Sequence, residues 1–204
     1  MADQKIGRRG FLGGLAASLA LVSTGAQAGG TCQAGPNGTG YCTVGIQSHI
    51  AHVAAAKQIN TQWCWAACIE TVFRYYGHPV NQVRIVKEVF GNIQNMPGMP
   101  HHILGALNRQ WVDDRGQRFR CRGDALSANL LTAIDDLTFD RPLIVGTLGH
   151  AMVLTAMSYR QNRWTGAKVV DQMVVRDPWP GKDMRTLTRP EAFNIQFLAR
   201  IQVS

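Results

Sequence analysis

Residues 58–77 read QINTQWCWAACIETVFRYYG and hold a strong helix pattern. From Cys64 to Tyr76 the apolar side chains recur at steps of three and four residues, which predicts a helix with one wide apolar face. Polar residues just before the pattern can cap the start of this helix, and Gly77 can end it. The pattern therefore predicts a helix that opens with a cysteine and packs against a core.

Cys64 lies where the unpaired N–H groups and the positive end of the helix dipole favour a thiolate over a thiol. A thiolate is what a nucleophilic cysteine needs, so Cys64 is the candidate nucleophile. Cys68 lies one turn later on the apolar face and is predicted to be structural. The alternative is that both cysteines are small core residues without a chemical role.

Patterns along the rest of the chain place helices first and strands after them. Helices are predicted over residues 81–90, 102–111 and 125–137, with a short capped helix at Thr188–Glu191, and strands over residues 142–147, 151–159, 169–176 and 197–203. Arg118, Arg120 and Arg122 alternate with other residues, which favours the exposed face of a further strand. Residues 29–57 show no strong periodicity. Helices followed by strands favour an α+β domain over a parallel α/β sheet.

A thiolate nucleophile needs a histidine that moves its proton and a group that orients this histidine. Five of the six histidines lie in loops or in the segment without periodicity: His49, His52, His78, His101 and His102. His150 differs because it follows Gly149 at the start of an apolar strand, where a side chain can emerge at the rim of a sheet. His150 is therefore the candidate general base.

An aspartate is predicted to face this histidine across a β-hairpin. The strands at 151–159 and 168–176 flank a polar stretch and should pair in antiparallel fashion. With the loop centred just before Trp164, His150 and Asp177 lie directly opposite each other, with Cβ atoms about 5 Å apart. A bulge would shift this register. The alternative for Asp177 is an ordinary Asp-Pro turn.

Three short blocks of the sequence resemble the papain-like cysteine peptidases. They are Gln58-Ile-Asn-Thr-Gln-Trp-Cys-Trp-Ala-Ala67, Gly149-His-Ala151 and Val175-Arg-Asp-Pro178, in the chain order of that family. The Cys-Trp-Ala-Ala form, with Asp as the third member, is most similar to the bacterial AvrRpt2-like and C39-like branches. The sequence departs from the papain signature upstream of Cys64, where Asn60-Thr61 replaces a Cys-Gly pair.

The resemblance implies an α+β, papain-like fold, with an N-terminal helical part whose central helix packs on a C-terminal antiparallel β-sheet. It also implies hydrolysis of peptide bonds in a protein or peptide substrate. Cys64 would attack the carbonyl carbon, His150 would shuttle the proton, and Asp177 would accept the Nδ1–H hydrogen bond that fixes the imidazole tautomer.

The resemblance further implies that Gln58, six residues before the nucleophile, joins the backbone N–H of Cys64 in stabilising the tetrahedral oxyanion. Gln62 is the alternative donor, although it is only two residues from Cys64. On the family pattern, Trp65 packs beside the site. Trp179 is a candidate shield of the histidine and aspartate from water.

Two other function classes remain open at this stage. The same residues can act on other amides or as an acyl transferase, as in peptidoglycan amidases and transglutaminases. A cell-wall substrate would suit an exported basic protein that is attracted to anionic polymers. The other class is a catalytically silent binding module that keeps the fold.

The first 28 residues resemble an export signal. Arg8-Arg9-Gly10-Phe11-Leu12 is a twin-arginine pattern, an apolar run extends to Val22, and Ala26-Gln27-Ala28 supplies small residues for cleavage. The alternative is an anchor helix, but the run is shorter than a membrane span requires. The sequence predicts a twin-arginine signal over 1–28, a mature domain over 29–204 with no stable membrane span, and a periplasmic or secreted location.

Five cysteines in an exported chain predict two disulfides and one free thiol. Cys32 and Cys42 bracket a Gly/Pro/Asn loop and can pair with each other. Cys68 and Cys121 would then form the second bridge, which leaves Cys64 free. The sequence alone does not fix this connectivity.

The chain has 204 residues, which predicts a single domain, and a net charge of +8. The 21 basic residues are not clustered and no nucleic-acid-binding motif accompanies them, so no nucleic-acid partner is predicted. No Cys-x-x-Cys or His-x-x-x-His spacing is present, and His101-His102 alone is a weak metal signal. No metal and no cofactor is predicted.

Overall fold

The computed structural model describes residues 28–204, so the predicted export signal lies almost wholly outside the described residues. Within this range the chain forms six α-helices and nine strands. In chain order they are β1 (Gly29–Ala34), β2 (Thr39–Gly45), α1 (Ser48–Ala54), α2 (Cys64–Tyr75), α3 (Gln82–Phe90), α4 (Pro100–Leu107), β3 (Gln110–Val112), β4 (Arg118–Asp124), α5 (Leu130–Thr138), β5 (Leu143–Thr147), β6 (His150–Asn162), β7 (Lys168–Arg176), β8 (Met184–Thr186), α6 (Arg189–Phe193) and β9 (Ile195–Val203).

The strands form one antiparallel sheet in the order β1-β2-β6-β5-β9-β4-β3, and β7 and β8 extend it from β6. Successive side chains of a strand point to opposite faces, so this sheet buries two cores. Ile144 and Val153 join the core that contains α2, whereas Leu143 and Leu154 join the core that contains α5. The α+β class and the packing of a central helix on an antiparallel sheet are confirmed.

Helix α2 is the central helix, and its buried residues run along almost its entire length. Trp65, Ile69 and Phe73 are fully buried, at the spacing that the sequence pattern predicted. Glu70 is the buried exception, and its carboxylate is satisfied by Arg74 and by the side chain of Gln82. The predicted helix over 64–76 is confirmed to within one residue.

Two strands, which the sequence analysis did not predict, precede the helices. Strands β1 and β2 form a hairpin, and β2 pairs with β6 and so joins the main sheet. The side chains of β1 are exposed and β2 alternates through Gly40, Cys42 and Val44, so neither strand carries the run of large apolar residues that marks a strand in a sequence.

The cysteine prediction is half right. Cys32 and Cys42 are bonded across the β1–β2 hairpin, as predicted. Cys68 and Cys121 are both free and buried in the α2 core, so the predicted second bridge is wrong. They pack there as small apolar residues. With Cys64, the described residues therefore hold three free thiols and not one.

Two helix boundaries differ from their predictions for local reasons. Helix α5 begins at Leu130 and not near residue 125, because the side chain of Asn129 caps it by accepting the N–H groups of Leu131 and Thr132. Helix α4 ends at Leu107, since strand β3 begins three residues later. Among residues 28–204, no helix combines the length and the apolar character that crossing a bilayer requires.

Candidate active site

Cys64 is the first residue of α2, at the helix terminus where the sequence predicted it. Trp63 precedes it and provides no side-chain cap, so the first N–H groups of the helix remain available. Burial acts to raise the pKa of the Cys64 thiol, but hydrogen bonds from the His150 side chain and the Ala151 backbone, with the charge of His150, together lower that pKa below its ordinary value. Cys64 is partly exposed and is set up as a thiolate.

His150 opens β6, and its imidazole lies between the thiol of Cys64 and the carboxylate of Asp177. Nε2 is 2.8 Å from Asp177 Oδ1. Burial acts to lower the pKa of His150, but the hydrogen bonds to Asp177 and Cys64 outweigh it and raise that pKa to about 9. The sequence analysis predicted that His150 contacts Asp177 through Nδ1, which is wrong because Nε2 makes this contact. Nδ1 is thus the ring nitrogen available to Cys64.

Asp177 lies just beyond the end of β7 and is almost completely buried. Its Oδ1 accepts hydrogen bonds from His150 and from the backbone N–H of Trp179, and its Oδ2 accepts from Arg185 Nε at 2.8 Å. Burial acts to raise the pKa of Asp177, but these donors hold it far below its usual range. Because the carboxylate is ionised and only accepts, Nε2 of His150 carries the proton of their shared hydrogen bond.

At the end of the hairpin that carries these residues, the strands pair two positions away from the predicted register; two bulges farther along β6 shift the register by one more residue and then back. Val153 pairs with Arg176 and Leu154 with Val175, so continuation of the ladder would place Asp177 opposite Met152 and not opposite His150. A shift of two residues keeps each side chain on the same face of the sheet. The predicted contact between the histidine and the aspartate therefore forms along a diagonal.

Gln58, the predicted oxyanion donor, is buried close to Asp177. Its backbone N–H donates to the carbonyl of Pro178 at 2.8 Å, while its Nε2 donates to the carbonyls of Asn60 and Thr61 at 2.9 and 3.1 Å. Its Oε1 is buried without a partner. The amide is therefore held beside the loop that leads to Cys64, with both of its hydrogens engaged. Gln62, the alternative donor, is exposed.

Two buried tryptophans flank Cys64 and tie it to the loop between α3 and α4. Trp63 Nε1 donates to the carbonyl of Gln94 at 2.8 Å, and Trp65 Nε1 donates to that of Met96 at 3.2 Å. Gly98 of the same loop lies so close to Trp65 that a Cβ there would be 2.3 Å from the indole ring. The structural role predicted for Trp65 fits these contacts.

Two more residues lie next to the histidine. The Trp179 ring is nearly perpendicular to that of His150, with ring centroids 6.3 Å apart, and its role as a shield stays a prediction. On the other side, Leu148 and Gly149 form the two-residue turn between β5 and β6, with φ angles of 50° and 77°. This turn therefore sets the position of His150 at the start of β6.

Arg185 is the residue of this site that sequence reasoning missed. It lies on the three-residue strand β8, which carries no motif. The pattern near Arg185 that the sequence analysis did identify is the Thr188–Glu191 capping box, which the structure contains at the start of α6. Glu191 also receives two hydrogen bonds from Arg185.

A second contact between a histidine and an aspartate lies outside this site. His78 contacts Asp113 at 3.1 Å, but its ring stacks on Phe119 and none of the three free cysteines is among its hydrogen-bond partners. Within residues 28–204, no three His, Cys, Asp or Glu side chains are grouped to hold a metal ion. Cys64, His150 and Asp177 offer a thiol with a lowered pKa, a base and an ionised carboxylate, which suits nucleophilic attack on a carbonyl carbon.

Comparisons with known proteins point in the same direction. The family model described as the Peptidase C39 like family matches residues 50–201. The comparison with curated proteins finds no significant match.

Three solved structures resemble the chain at low identity. The peptidase domain of Streptococcus ComA, a bifunctional ABC transporter involved in a quorum-sensing pathway, is 22% identical over 73% of this chain and 96% of that domain, with a TM-score of 0.47. A double glycine motif protease from an AMS/PCAT transporter, solved with its leader peptide, is 17% identical over 73% of this chain and 89% of that chain, with a TM-score of 0.43. UfSP from C. elegans is 14% identical over 85% of this chain and 34% of that chain, with a TM-score of 0.46.

Proposed function

The chain belongs to the Peptidase C39 like family and is a cysteine peptidase, and from that premise we propose that Cys64, His150 and Asp177 are its catalytic triad. One observation carries the proposal: the imidazole of His150 links the Cys64 thiol to the buried Asp177 carboxylate, with the Nε2–Oδ1 distance at 2.8 Å. The C39-like branch of the resemblance is confirmed, and the AvrRpt2-like branch stays a prediction.

The triad would cleave an amide bond in two steps. The Cys64 thiolate attacks the carbonyl carbon, and the imidazolium of His150 gives its Nδ1 proton to the leaving amine, so that an acyl-thioester remains on Cys64. Neutral His150 then takes a proton from water, and the hydroxide formed in that step attacks the thioester. The carboxylic acid leaves and the thiolate and imidazolium are restored. Asp177 stays ionised throughout and stabilises the imidazolium.

Gln58 and the backbone N–H of Cys64 would bind the oxyanion of the tetrahedral intermediate. Nε2 of Gln58 donates to two neutral carbonyls, of Asn60 and Thr61. A hydrogen bond to a charged oxygen is roughly twice as strong as one to a neutral oxygen. As negative charge develops on the substrate oxygen, it therefore becomes favourable for Gln58 Nε2 to replace one of its two carbonyl acceptors by the oxyanion. Such a bond forms only in the transition state and therefore acts on kcat.

A direct test compares purified mature protein with three variants on casein and, separately, on purified peptidoglycan. Cys64→Ala and His150→Ala are expected to abolish release of peptides from casein with circular dichroism unchanged. Cys121→Ala is the matched control, because it removes a buried free thiol outside the site. Activity that persists in Cys64→Ala would refute the proposal, whereas activity on peptidoglycan alone would favour an amidase with the same triad.

The location of the protein is a separate proposal that rests on the sequence of residues 1–28. The twin-arginine pattern supports export to the periplasm or the medium. Substituting Arg8 and Arg9 by lysine is expected to retain the precursor in the cytoplasm, because the export machinery reads the guanidinium pair. Fractionation and immunoblotting of both forms measure this, and normal export of the variant would point to another route or to an anchor.

A further inference from the structure

Arg185 bridges two carboxylates that belong to different elements. Its Nε donates to Asp177 Oδ2 at 2.8 Å, while Nη1 and Nη2 donate to the two oxygens of Glu191 at 2.8 and 2.7 Å. Each of the three nitrogens of one guanidinium makes one of these contacts, which a rigid fork of donors permits and a single ammonium group does not. The side chain of Arg185 is 22% exposed, so this bridge is largely shielded from water.

Glu191 is itself fixed from three directions. Its Oε2 accepts the backbone N–H and the hydroxyl of Thr188, each at 2.8 Å, as the capping box at the start of α6. Its backbone carbonyl accepts the hydroxyl of Thr147 at 2.7 Å. Thr147 is the residue that pairs with His150 across the β5–β6 turn. A continuous set of hydrogen bonds thus connects the strand next to the histidine with the carboxylate that the histidine contacts.

We propose that Arg185, anchored by Glu191, is a positioning residue that turns Oδ1 of Asp177 toward His150. This inference rests on the triad proposed above. Oδ1 has two donors, His150 and the Trp179 N–H, whereas Arg185 is the close donor to Oδ2. The other cation near Oδ2 is Lys182, with its Nζ 3.9 Å away and its side chain half exposed. Without Arg185, the carboxylate would rotate toward Lys182 and draw Oδ1 away from the imidazole.

A purely electrostatic role for Arg185 predicts the opposite result, and this makes the two roles separable. A guanidinium beside Asp177 offsets part of its negative charge, so loss of that cation alone would strengthen the attraction between Asp177 and the imidazolium. The pKa of His150 would then rise. Loss of orientation removes the hydrogen bond that raises this pKa, so the pKa would fall. Among the described residues, the charged or titratable groups around His150 and Asp177 are Cys64 and Cys68 on α2, Arg185 on β8, Lys182, and Lys57, whose Nζ donates to the Asp177 carbonyl at 3.1 Å.

The pH dependence of alkylation by iodoacetate measures the titration of His150 without any peptide substrate. The anionic reagent is attracted by the imidazolium, so its reaction with the Cys64 thiolate slows when His150 loses its proton. This fall in rate is the alkaline limb of the pH profile. For Arg185→Gln, we expect the midpoint of the alkaline limb to lie about one pH unit lower than in the unsubstituted protein. Glu191→Gln keeps one oxygen for Arg185 and should move the limb in the same direction by less, which provides a second variant if Arg185→Gln folds poorly.

Arg200→Gln is the matched control. Arg200 makes a comparable bidentate contact with buried Asp136, outside the site, so its loss should leave the limb in place. An unmoved limb in both Arg185→Gln and Glu191→Gln, or an upward shift, would overturn the positioning role. Failure of the proposed function is a different outcome, since it would appear as peptide hydrolysis by Cys64→Ala.

Discussion

The imidazole of His150 contacts Asp177 through Nε2, with 2.8 Å between Nε2 and Oδ1. This leaves Nδ1 as the nitrogen that exchanges a proton with the Cys64 thiol. The order of the contacts is therefore thiol, Nδ1, Nε2 and carboxylate.

The first prediction concerns the three free cysteines. Iodoacetamide is expected to label Cys64 alone in the folded protein, since Cys68 and Cys121 are fully buried. Burial raises the pKa of Cys68 well above its ordinary value and that of Cys121 to about 12, so neither forms a thiolate at neutral pH. Intact mass and peptide mapping measure the stoichiometry, and Cys64→Ala should remain unlabelled. Labelling of Cys68 or Cys121 in folded protein would contradict the assignment.

The second prediction concerns pH. Catalysis needs the thiolate of Cys64 together with the imidazolium of His150, so kcat/KM should show a bell-shaped dependence on pH. Its acid limb should lie below the ordinary thiol value of about 8.5, because the pKa of Cys64 is lowered. Its alkaline limb should lie near 9, where His150 loses its proton. A profile that rises through pH 9 without a maximum would show that the imidazolium is not required.

The pKa shifts of His150 and Asp177 also have a consequence for stability. The pKa of His150 is raised in the folded protein. Protonated His150 therefore contributes fully to the free energy of unfolding below the pKa of about 6.5 that histidine has in the unfolded chain. This contribution disappears as the pH rises through about 9. The folded-state pKa of Asp177 is lowered, so its contribution is present above about 3.9 and disappears as pH falls. The stability difference between the unmodified protein and Asp177→Asn, from urea unfolding, should therefore be largest near pH 5–6.

The third prediction separates the two candidate oxyanion donors. Gln58→Ala should lower kcat by about 10²–10³, the usual effect of losing one donor, with little change in KM. Gln62→Ala should have a much smaller effect because this side chain is exposed. Both variants are measured on one peptide substrate, with folding checked by circular dichroism. If Gln62→Ala is the more damaging, the six-residue spacing does not mark the oxyanion hole.

The parts of the fold that were predictable are those whose pattern is local. Helix α2 carries its own apolar periodicity, so both of its ends were found to within a residue. The β1–β2 hairpin was missed because β2 buries only two apolar side chains, Cys42 and Val44, and because the hairpin is held by the Cys32–Cys42 bond and by pairing with the distant strand β6. Long-range pairing leaves no periodic signal in the strand that receives it.

The candidate site likewise has residues that a local pattern predicted and residues that depend on long-range pairing. The helix pattern singled out Cys64, and the predicted hairpin pairing brought His150 and Asp177 together. The register error of two residues did no harm because it left both side chains on the same face of the sheet. Which ring nitrogen contacts Asp177 depends on the side-chain orientation, which strand pairing does not determine. Arg185 could not be found, since its role follows from where β8 adds to β7 and no local pattern encodes that pairing.

The fourth prediction concerns the turn that precedes His150. Leu148 has a φ of 50° and is 57% exposed. A left-handed conformation costs a leucine about 1–2 kcal/mol, and the turn type with two positive φ angles favours Asn-Gly.

Leu148→Asn keeps Gly149 and relieves the strain, while an exposed side chain gives up little packing. We expect the free energy of unfolding to rise by about 0.5–1 kcal/mol, measured by urea titration. Leu126→Asn is the matched control, because Leu126 is a fully exposed leucine without a positive φ, and its effect should stay within about 0.5 kcal/mol. An equal or lower stability for Leu148→Asn would mean that the leucine is held by packing, and that the strain at this turn is compensated within the folded protein.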